Sequence, residues 1–295
     1  SKKESHSDVG DRANDALRVN GCDLKAKIIG EGGNLGATQL GRMEFAANGG
    51  RVNTDFIDNV GGVDCSDNEV NIKILLNALV SNGDLTVKQR NNLLYDMTDD
   101  VAKIVLQDCY RQTQTISVTE MTGVSSLKEQ LRFIHGLERD GALNRELEFI
   151  PNDDEISDRA VQNRGLTRPE LSVITAYGKM VLKDQLNIPA LTDNPYHGKL
   201  LISAFPPVLR ERFAEQMQQH PLRAEIIATK LTNNMVNDMG ANFVYRMQEE
   251  TGADIVEITN AYSIVKGVFS IGQLWQDIES LDNKVDAKVQ LAMLE

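Results

Sequence analysis

One stretch near the start of the chain decides the expected fold of its first part: residues 26–38 read AKIIGEGGNLGAT. The compact apolar run 26–30 ends in glycine, which is typical of a parallel strand buried on both faces. Residues 37–48 then carry apolar side chains at helical spacing, and two glycines, 49–50, end that helix. Residues 51–56 form a second short strand candidate. Strand, helix and strand in about thirty residues predict one βαβ unit.

A single βαβ unit cannot bury its own faces, so we expect the missing strands before Ser1. After Leu75 the strand pattern fades and helical periodicity dominates. Thr167-Arg168-Pro169-Glu170 starts a strong helix, because Thr caps, Pro fits the first turn and Glu completes a capping box. The predicted fold class is mainly α with a small α/β portion: a partial parallel, Rossmann-like βαβ unit in residues 1–75, followed by a multi-helix domain in residues 76–295.

Charge and composition exclude several classes of partner. The net charge is -12 and no cluster of Lys or Arg occurs, so a phosphate backbone or an anionic membrane surface would repel the chain. No apolar run approaches the roughly 18 residues that a spanning helix needs. Three cysteines, an odd number, fit neither a disulfide framework nor a metal site, which favours a reducing cytoplasm. The polar start without an initiator Met suggests a piece of a longer polypeptide.

The first glycine-rich turn, residues 30–38, follows the first strand candidate. Its glycines would let backbone N–H groups approach a ligand, and the following helix N-terminus favours negative charge. The turn nearly matches a dinucleotide fingerprint, with Asp55 as a possible ribose ligand, but its third glycine, Gly36, comes one place late. A plain turn with a helix cap is the alternative.

The second glycine-rich turn, residues 58–66, follows the second strand candidate. Ser66 with Glu69 three residues later forms a capping-box pattern, which predicts Ser66 as the cap of a long helix. The same geometry, a helix N-terminus with a hydroxyl, also suits a bound carboxylate. The residues alone leave both interpretations open.

Residues 8–18, 28–34 and 55–66 together resemble the large bacterial NAD-specific glutamate dehydrogenases. Smaller glutamate dehydrogenases carry related motifs in the same order: a Glu-Gly-Ala-Asn turn, then Asn-Ala-Gly-Gly-Val with a Ser three residues later. The helical remainder, including residues 166–172, also resembles the large type. The resemblance implies that residues 1–75 are the C-terminal part of the dinucleotide-binding domain and residues 76–295 a helical C-terminal domain.

The same resemblance implies NAD-dependent oxidative deamination of L-glutamate to 2-oxoglutarate and ammonium. By position, the cofactor-binding residues would be Ala13, Asn14, Gly33, Asn34, Asn59 and Gly62, and the substrate-binding residues Val63 and Ser66. Asn34 and Asn59 would contact the nicotinamide amide or its ribose. Ser66 would bind a substrate carboxylate.

No catalytic or metal-binding residue is assigned to this chain. The family's general-base lysine and proton-transfer aspartate are expected upstream, in a substrate domain, and the chain's own lysines lack such a motif. The expected partners are therefore the rest of the same polypeptide, the glutamate substrate and further copies in a homo-oligomer, and the isolated chain should be inactive. A non-catalytic helical assembly or regulatory module is the alternative function, and an independent nucleotide-binding protein a third.

Overall fold

Helices dominate the computed structural model, which describes residues 1–33 and 35–295. The structure is 69% helical and 1% strand, and the described residues form no sheet. The predicted Rossmann-like βαβ unit, and with it the α/β portion of the predicted fold class, is therefore wrong. The α-helices, numbered in chain order, are α1 His6–Val9, α2 Gln39–Ala47, α3 Asp55–Asp58, α4 Val60–Ser81, α5 Val87–Asp96, α6 Thr98–Thr122, α7 Leu127–Arg139, α8 Asp153–Val161, α9 Arg168–Leu186, α10 Pro189–Thr192, α11 Gly198–Ser203, α12 Pro207–Met217, α13 Arg223–Met239, α14 Phe243–Thr251, α15 Ile255–Val268, α16 Ile271–Glu279 and α17 Ala287–Leu294. Two 3₁₀ helices, Arg12–Leu17 and Gly21–Asp23, precede α2.

A single parallel bridge between Ile28 and Arg51 stands where the two strands were predicted. The Arg51 N–H donates to the Lys27 carbonyl oxygen at 2.9 Å, and the Ile29 N–H donates to the Arg51 carbonyl oxygen at 2.9 Å. Pairing stops there because the first extended segment is left uncovered: the Ile28 side chain is 68% exposed. The second segment also ends early, since α3 begins at Asp55. Two extended segments alone do not stabilise a longer ladder.

The chain folds as two compact units, each assembled from separate stretches of sequence. Unit 1 comprises residues Ser1–Asn59, Thr113–Gly178 and Val236–Glu295. Unit 2 comprises Val60–Gln112 and Lys179–Met235. Each unit has its own set of buried apolar side chains, and the described core includes Phe45, Val52, Ile57, Ile116, Phe133, Ile134, Leu171 and Ile174 in unit 1, and Leu76, Leu79, Leu186, Leu191, Leu201, Leu209, Met217 and Ile227 in unit 2.

In unit 1 the helix start predicted at Thr167 is confirmed, since α9 begins at Arg168 and the Glu170 carboxylate binds back to Thr167. Both the N–H and the hydroxyl of Thr167 donate to a Glu170 carboxylate oxygen, at 2.6 and 2.8 Å. Glu170 is completely buried and also accepts two hydrogen bonds from Arg159, at 2.8 and 2.9 Å. Arg168 donates to Asn53 at 3.0 Å. The motif that starts α9 therefore also connects it to the segment just before α3.

Unit 2 is organised around the 22-residue helix α4. Ile72, Leu75, Leu76 and Leu79 follow one another at helical spacing and are all buried. His220 lies against this helix, with its Nε2 3.1 Å from the Asn71 carbonyl oxygen. The apolar stripe begins only in the fourth turn, so the first turns of α4 are held by other groups.

Candidate functional site

A buried ion-pair cluster organises the first glycine-rich turn in unit 1. Arg42, on α2, is 5% exposed and donates through Nε and Nη2 to both oxygens of Glu31, at 2.5 and 2.8 Å. Its Nη2 also lies 3.2 Å from Asp55 Oδ1. Such bidentate, buried pairs fix geometry because a planar guanidinium matches a carboxylate in one orientation. The cluster joins the turn to α2 and to α3.

Backbone donors of the same turn bind the carboxylates of α3. The Glu31 N–H donates to Asp58 at 3.0 Å, and the Leu35 N–H donates to Asp55 at 2.9 Å. Asn53 also donates to Asp58, at 2.7 Å. Asp55 is thus engaged by Arg42 and by a backbone N–H, which disfavours the role of ribose ligand considered for it from the sequence.

Three of the predicted cofactor residues lie in unit 1 on the exposed side of these segments. Asn14 and Ala13 belong to the exposed 3₁₀ helix Arg12–Leu17, where Asn14 donates to Asp11 at 2.7 Å. Gly33 is exposed, and a Cβ added to it would meet nothing within 4 Å. Asn34 lies outside the described residues.

Asn59 also belongs to unit 1 and follows α3 directly. It is the C-cap residue of α3, and its N–H donates to the Asp55 carbonyl oxygen at 2.8 Å. Because the Glu31 N–H and the Asn59 N–H bind Asp58 and Asp55 of one short helix, α3 connects the first glycine-rich turn to Asn59.

The second predicted glycine-rich turn is helical, which corrects the sequence interpretation. Helix α4 begins at Val60, so Gly62, Val63 and Ser66 lie in its first two turns. Ser66 is inside the helix and donates to the Gly62 carbonyl oxygen at 3.3 Å, four residues back, so its predicted capping role is wrong. Two glycines favoured a turn, but neighbouring contacts override helix propensity at such positions.

The first two turns of α4 have an inner and an outer face within unit 2. Gly62 and Ser66 are exposed, and Val63 is 63% exposed. The inner face contains Gly61, Asp64 and Asn68, which follow one another at intervals of three and four residues and therefore lie on the same side of the helix. A Cβ on Gly61 would lie 3.6 Å from the Cys109 sulfur, which shows how closely α4 approaches α6 there. The three predicted residues therefore share the outer face.

Asp64 brings a carboxylate into this inner face. Its Oδ1 accepts a hydrogen bond from the Asn68 amide at 3.2 Å, and that amide also donates to the Asp64 carbonyl oxygen at 2.9 Å. Burial raises the pKa of Asp64 to about 6 from its usual 3.8; the Asp108 carboxylate acts in the same direction and Lys230 opposes it.

Two lysines of unit 2 face the same cluster. Lys179, on α9, donates to Gln112 at 2.8 Å, and Lys230, on α13, forms an ion pair with Asp108 at 3.0 Å. Burial lowers the pKa of Lys179 to about 8 from its usual 10.5, against the attraction of Asp108. We call Asp64, Asn68, Asp108, Lys179 and Lys230 the inner cluster.

The inner cluster was not predicted from the sequence, although one signal for it is present. Asp64 stands where the resembling motif has a small residue, and a charged side chain at the inner position of a helix requires partners. Its partners come from residues about 45 to 165 positions away, which no local pattern indicates. Perturbed pKa values combined with burial are frequent at functional sites.

The described residues contain no group of three or more His, Cys, Asp or Glu side chains arranged to hold a metal ion. Within ranges 1–33 and 35–295, no helix combines the length and the apolar character required to cross a membrane.

Two protein families match separate parts of the chain. Residues 1–119 match the family described as bacterial NAD-glutamate dehydrogenase, catalytic domain, and residues 163–295 match the family described as glutamate dehydrogenase, C-terminal. The chain belongs to the family of large bacterial NAD-glutamate dehydrogenases.

Individual relatives carry the same family name. The chain is 50% identical over its whole length to the NAD-specific glutamate dehydrogenase of Halomonas elongata and 48% identical to that of Pseudomonas aeruginosa. It is 42% identical over 95% of its length to that of Mycobacterium tuberculosis. The chain spans only 18%, 18% and 17% of the length of these three relatives.

Proposed function

We propose that this chain acts as part of a longer polypeptide that oxidises L-glutamate with NAD to 2-oxoglutarate and ammonium, and that it supplies the nicotinamide side of the site. The chain is 50% identical in sequence to one relative over 100% of its own length. This similarity supports the proposal, because that relative is named an NAD-specific glutamate dehydrogenase. The activity belongs to the whole polypeptide, since the chain covers 18% of that relative. We further propose the division at residues 75 and 76, assembly as a homo-oligomer and a cytoplasmic location.

The residues present fit part of an NAD molecule. Gly30, Gly32 and Gly33 have open space where a side chain would stand, so their backbone is accessible to a ligand. When bound, NAD supplies the acceptor for the hydride of the substrate α-carbon.

Within this proposal each predicted residue has a binding role. Asn34 and Asn59 hold the nicotinamide amide or its ribose, and Ala13, Asn14, Gly33 and Gly62 lie along the cofactor. Val63 packs against the substrate chain. Ser66 turns its hydroxyl from the Gly62 carbonyl, a long bond of 3.3 Å, to a substrate carboxylate. No residue of this chain is assigned the role of general base or acid.

Replacing Ser66 with Ala in the intact enzyme tests the substrate role. The KM for glutamate should rise about tenfold or more, while the KM for NAD changes less than about twofold, because a lost hydrogen bond to a charged group costs about 1.5–3 kcal/mol. Steady-state kinetics with each substrate varied in turn measure both constants. Ser81→Ala, at the exposed far end of the same helix, is the matched control. An unchanged KM for glutamate would remove Ser66 from the site.

A further inference from the structure

The first glycine-rich turn is bound at both ends by carboxylates of the short helix α3. The Glu31 N–H donates to Asp58 Oδ2 at 3.0 Å, and the Leu35 N–H donates to Asp55 Oδ2 at 2.9 Å. In the sequence, these two positions flank residues 32–34, which include two of the predicted cofactor residues. The two carboxylates are three residues apart and therefore lie on one side of the helix. One short helix thus fixes both flanks of the turn.

The second oxygen of each carboxylate is bound by a side chain outside the turn. Asp55 Oδ1 lies 3.2 Å from Nη2 of the buried Arg42. Asp58 Oδ1 accepts a hydrogen bond from the Asn53 amide at 2.7 Å, and the Asn53 oxygen accepts one from Nε of the buried Arg168 at 3.0 Å. Each carboxylate therefore connects the backbone of the turn to a buried arginine, directly at Asp55 and through Asn53 at Asp58.

The backbone of Leu35 is strained. Its φ is 60°, in the left-handed region that residues with a bulky side chain rarely adopt. The side chain is 84% exposed, so packing does little to stabilise this conformation. The bond from the Leu35 N–H to Asp55 opposes the strain. Strained backbone that the surroundings hold in place is frequent at ligand-binding sites.

We propose that Asp55 and Asp58 are positioning residues of the cofactor site: by binding the backbone at both ends of the turn, they preorganise residues 32–34 for the nicotinamide half of NAD. This inference rests on the proposed function. Asn59, the other predicted nicotinamide-binding residue of unit 1, caps the same short helix. A carboxylate suits this task because both of its oxygens accept hydrogen bonds, whereas an amide would turn its NH₂ group toward one of the two donors.

The isosteric variants Asp55→Asn and Asp58→Asn, made in the intact enzyme, test the proposal through NADH binding. The Kd for NADH, measured by fluorescence titration, should rise about tenfold in each variant, because a displacement of about 1 Å at a binding group can cost up to about 10²-fold. Asp140→Asn, which changes an exposed aspartate of unit 1, should leave the Kd unchanged. A role in folding alone would reduce the amount of active enzyme without changing the Kd. A wild-type Kd in both variants would therefore overturn the proposal.

Amide hydrogen exchange of the intact enzyme without cofactor measures the restraint on the turn directly. Asp58→Asn should accelerate exchange at the Glu31 amide, and Asp55→Asn at the Leu35 amide, each by about tenfold or more, because each substitution removes the acceptor of that N–H group. The amides of α2 should exchange as in the wild type and serve as the internal control. Exchange at the two turn amides that is already unprotected in the wild type would overturn the proposal.

Asn53→Ala supplies a second variant that leaves both carboxylates in place. It removes the amide that donates to Asp58 Oδ1. Exchange at the Glu31 amide and the Kd for NADH should both rise by a smaller factor, about twofold to fivefold. This variant keeps the proposal open to refutation if the aspartate variants do not fold, because wild-type values of both quantities would then overturn it.

Failure of the inference and failure of the proposed function are distinguishable. If the intact wild-type enzyme binds no NADH, the proposed function fails whatever the exchange data show. If it binds NADH, and the substitutions accelerate exchange at the turn while the Kd for NADH stays at the wild-type value, the two aspartates have no positioning role and the proposed function stands.

Discussion

Arg42 is the residue whose contacts do most to shape the described part of the first glycine-rich turn. It is buried, it holds both oxygens of Glu31, and it lies against Asp55. Removing one member of a buried ion pair strongly destabilises the folded state, because the opposite charge is left unpaired in a poorly solvated place. The turn conformation thus depends on a residue that is not part of the turn.

Arg42→Met should lower the free energy of unfolding by about 3–5 kcal/mol, because the buried Glu31 and the half-buried Asp55 would be left without a cation. Chemical denaturation of the chain measures this change. The double variant Arg42→Met with Glu31→Gln should lose less than the single variant, since one unpaired charge is removed. Arg139→Met, an exposed arginine paired with its neighbour Asp140, should change stability by less than about 1 kcal/mol. A similar loss in both single variants would contradict the buried-pair account.

At the scale of elements, the packing of α2 depends on a close backbone approach. A Cβ added to Gly21 would lie 2.4 Å from the Gly41 carbonyl oxygen and 2.7 Å from the Phe45 nitrogen. Both are backbone atoms of α2, which cannot move aside as a side chain can. The 3₁₀ helix Gly21–Asp23 therefore contacts α2 through a position that only glycine fits.

Gly21→Ala should destabilise unit 1 by about 2 kcal/mol or more, because overpacking against backbone forces the two elements apart. Thermal or denaturant unfolding of the chain reports the change. Gly272→Ala, inside α16 and with only the Lys266 Cε at 3.8 Å, is the control and should be neutral or stabilising by up to about 1 kcal/mol. Equal stability of both variants would show that Gly21 tolerates a side chain.

Helix α4 illustrates how an element can be predicted while its start is misplaced. The glycine pair at 61–62 and the Ser66–Glu69 pattern favoured a helix start near Ser66, yet the helix begins at Val60. A Cβ on Gly61 would make an ordinary van der Waals contact with the Cys109 sulfur, and the Asn68 amide bonds back to Asp64 within the helix. The first turn of the helix thus includes two glycines, residues of low helix propensity.

At the scale of the whole molecule, the chain covers only a small share of the length of its relatives, and this has a functional consequence. The chain spans 18% of its Halomonas elongata relative, and no general base is assigned within it. We therefore expect the isolated chain to show no glutamate oxidation, because cofactor and substrate need groups from the rest of the polypeptide for orientation. NADH formation followed by absorbance measures turnover, with the intact enzyme as the positive control. Robust turnover by the isolated chain would refute this expectation.

Several features followed from the sequence alone because local interactions decide them. The helix start at residues 167–170 was predicted from four consecutive residues and is confirmed, with Glu170 accepting a hydrogen bond from the Thr167 N–H. The helix expected over residues 37–48 is α2, which ends at Ala47 just before Gly49 and its positive φ of 87°. The family was also predictable, since it depends on ordered motifs and not on their conformation. The roles of the predicted site residues stay predictions.

Other features were decided only by tertiary structure, because they depend on residues far apart in the chain. An apolar run ending in glycine satisfies the local requirements of a strand, but a sheet needs several paired strands and covered faces. Among the described residues, the segment around Ile28 has one bridge, to Arg51, and an exposed side chain. The pKa of Asp64 likewise depends on burial by other helices and on Asp108, Lys179 and Lys230. Short-range patterns determine where helices can form, whereas burial and charge are set by the partners that the fold brings to each side chain.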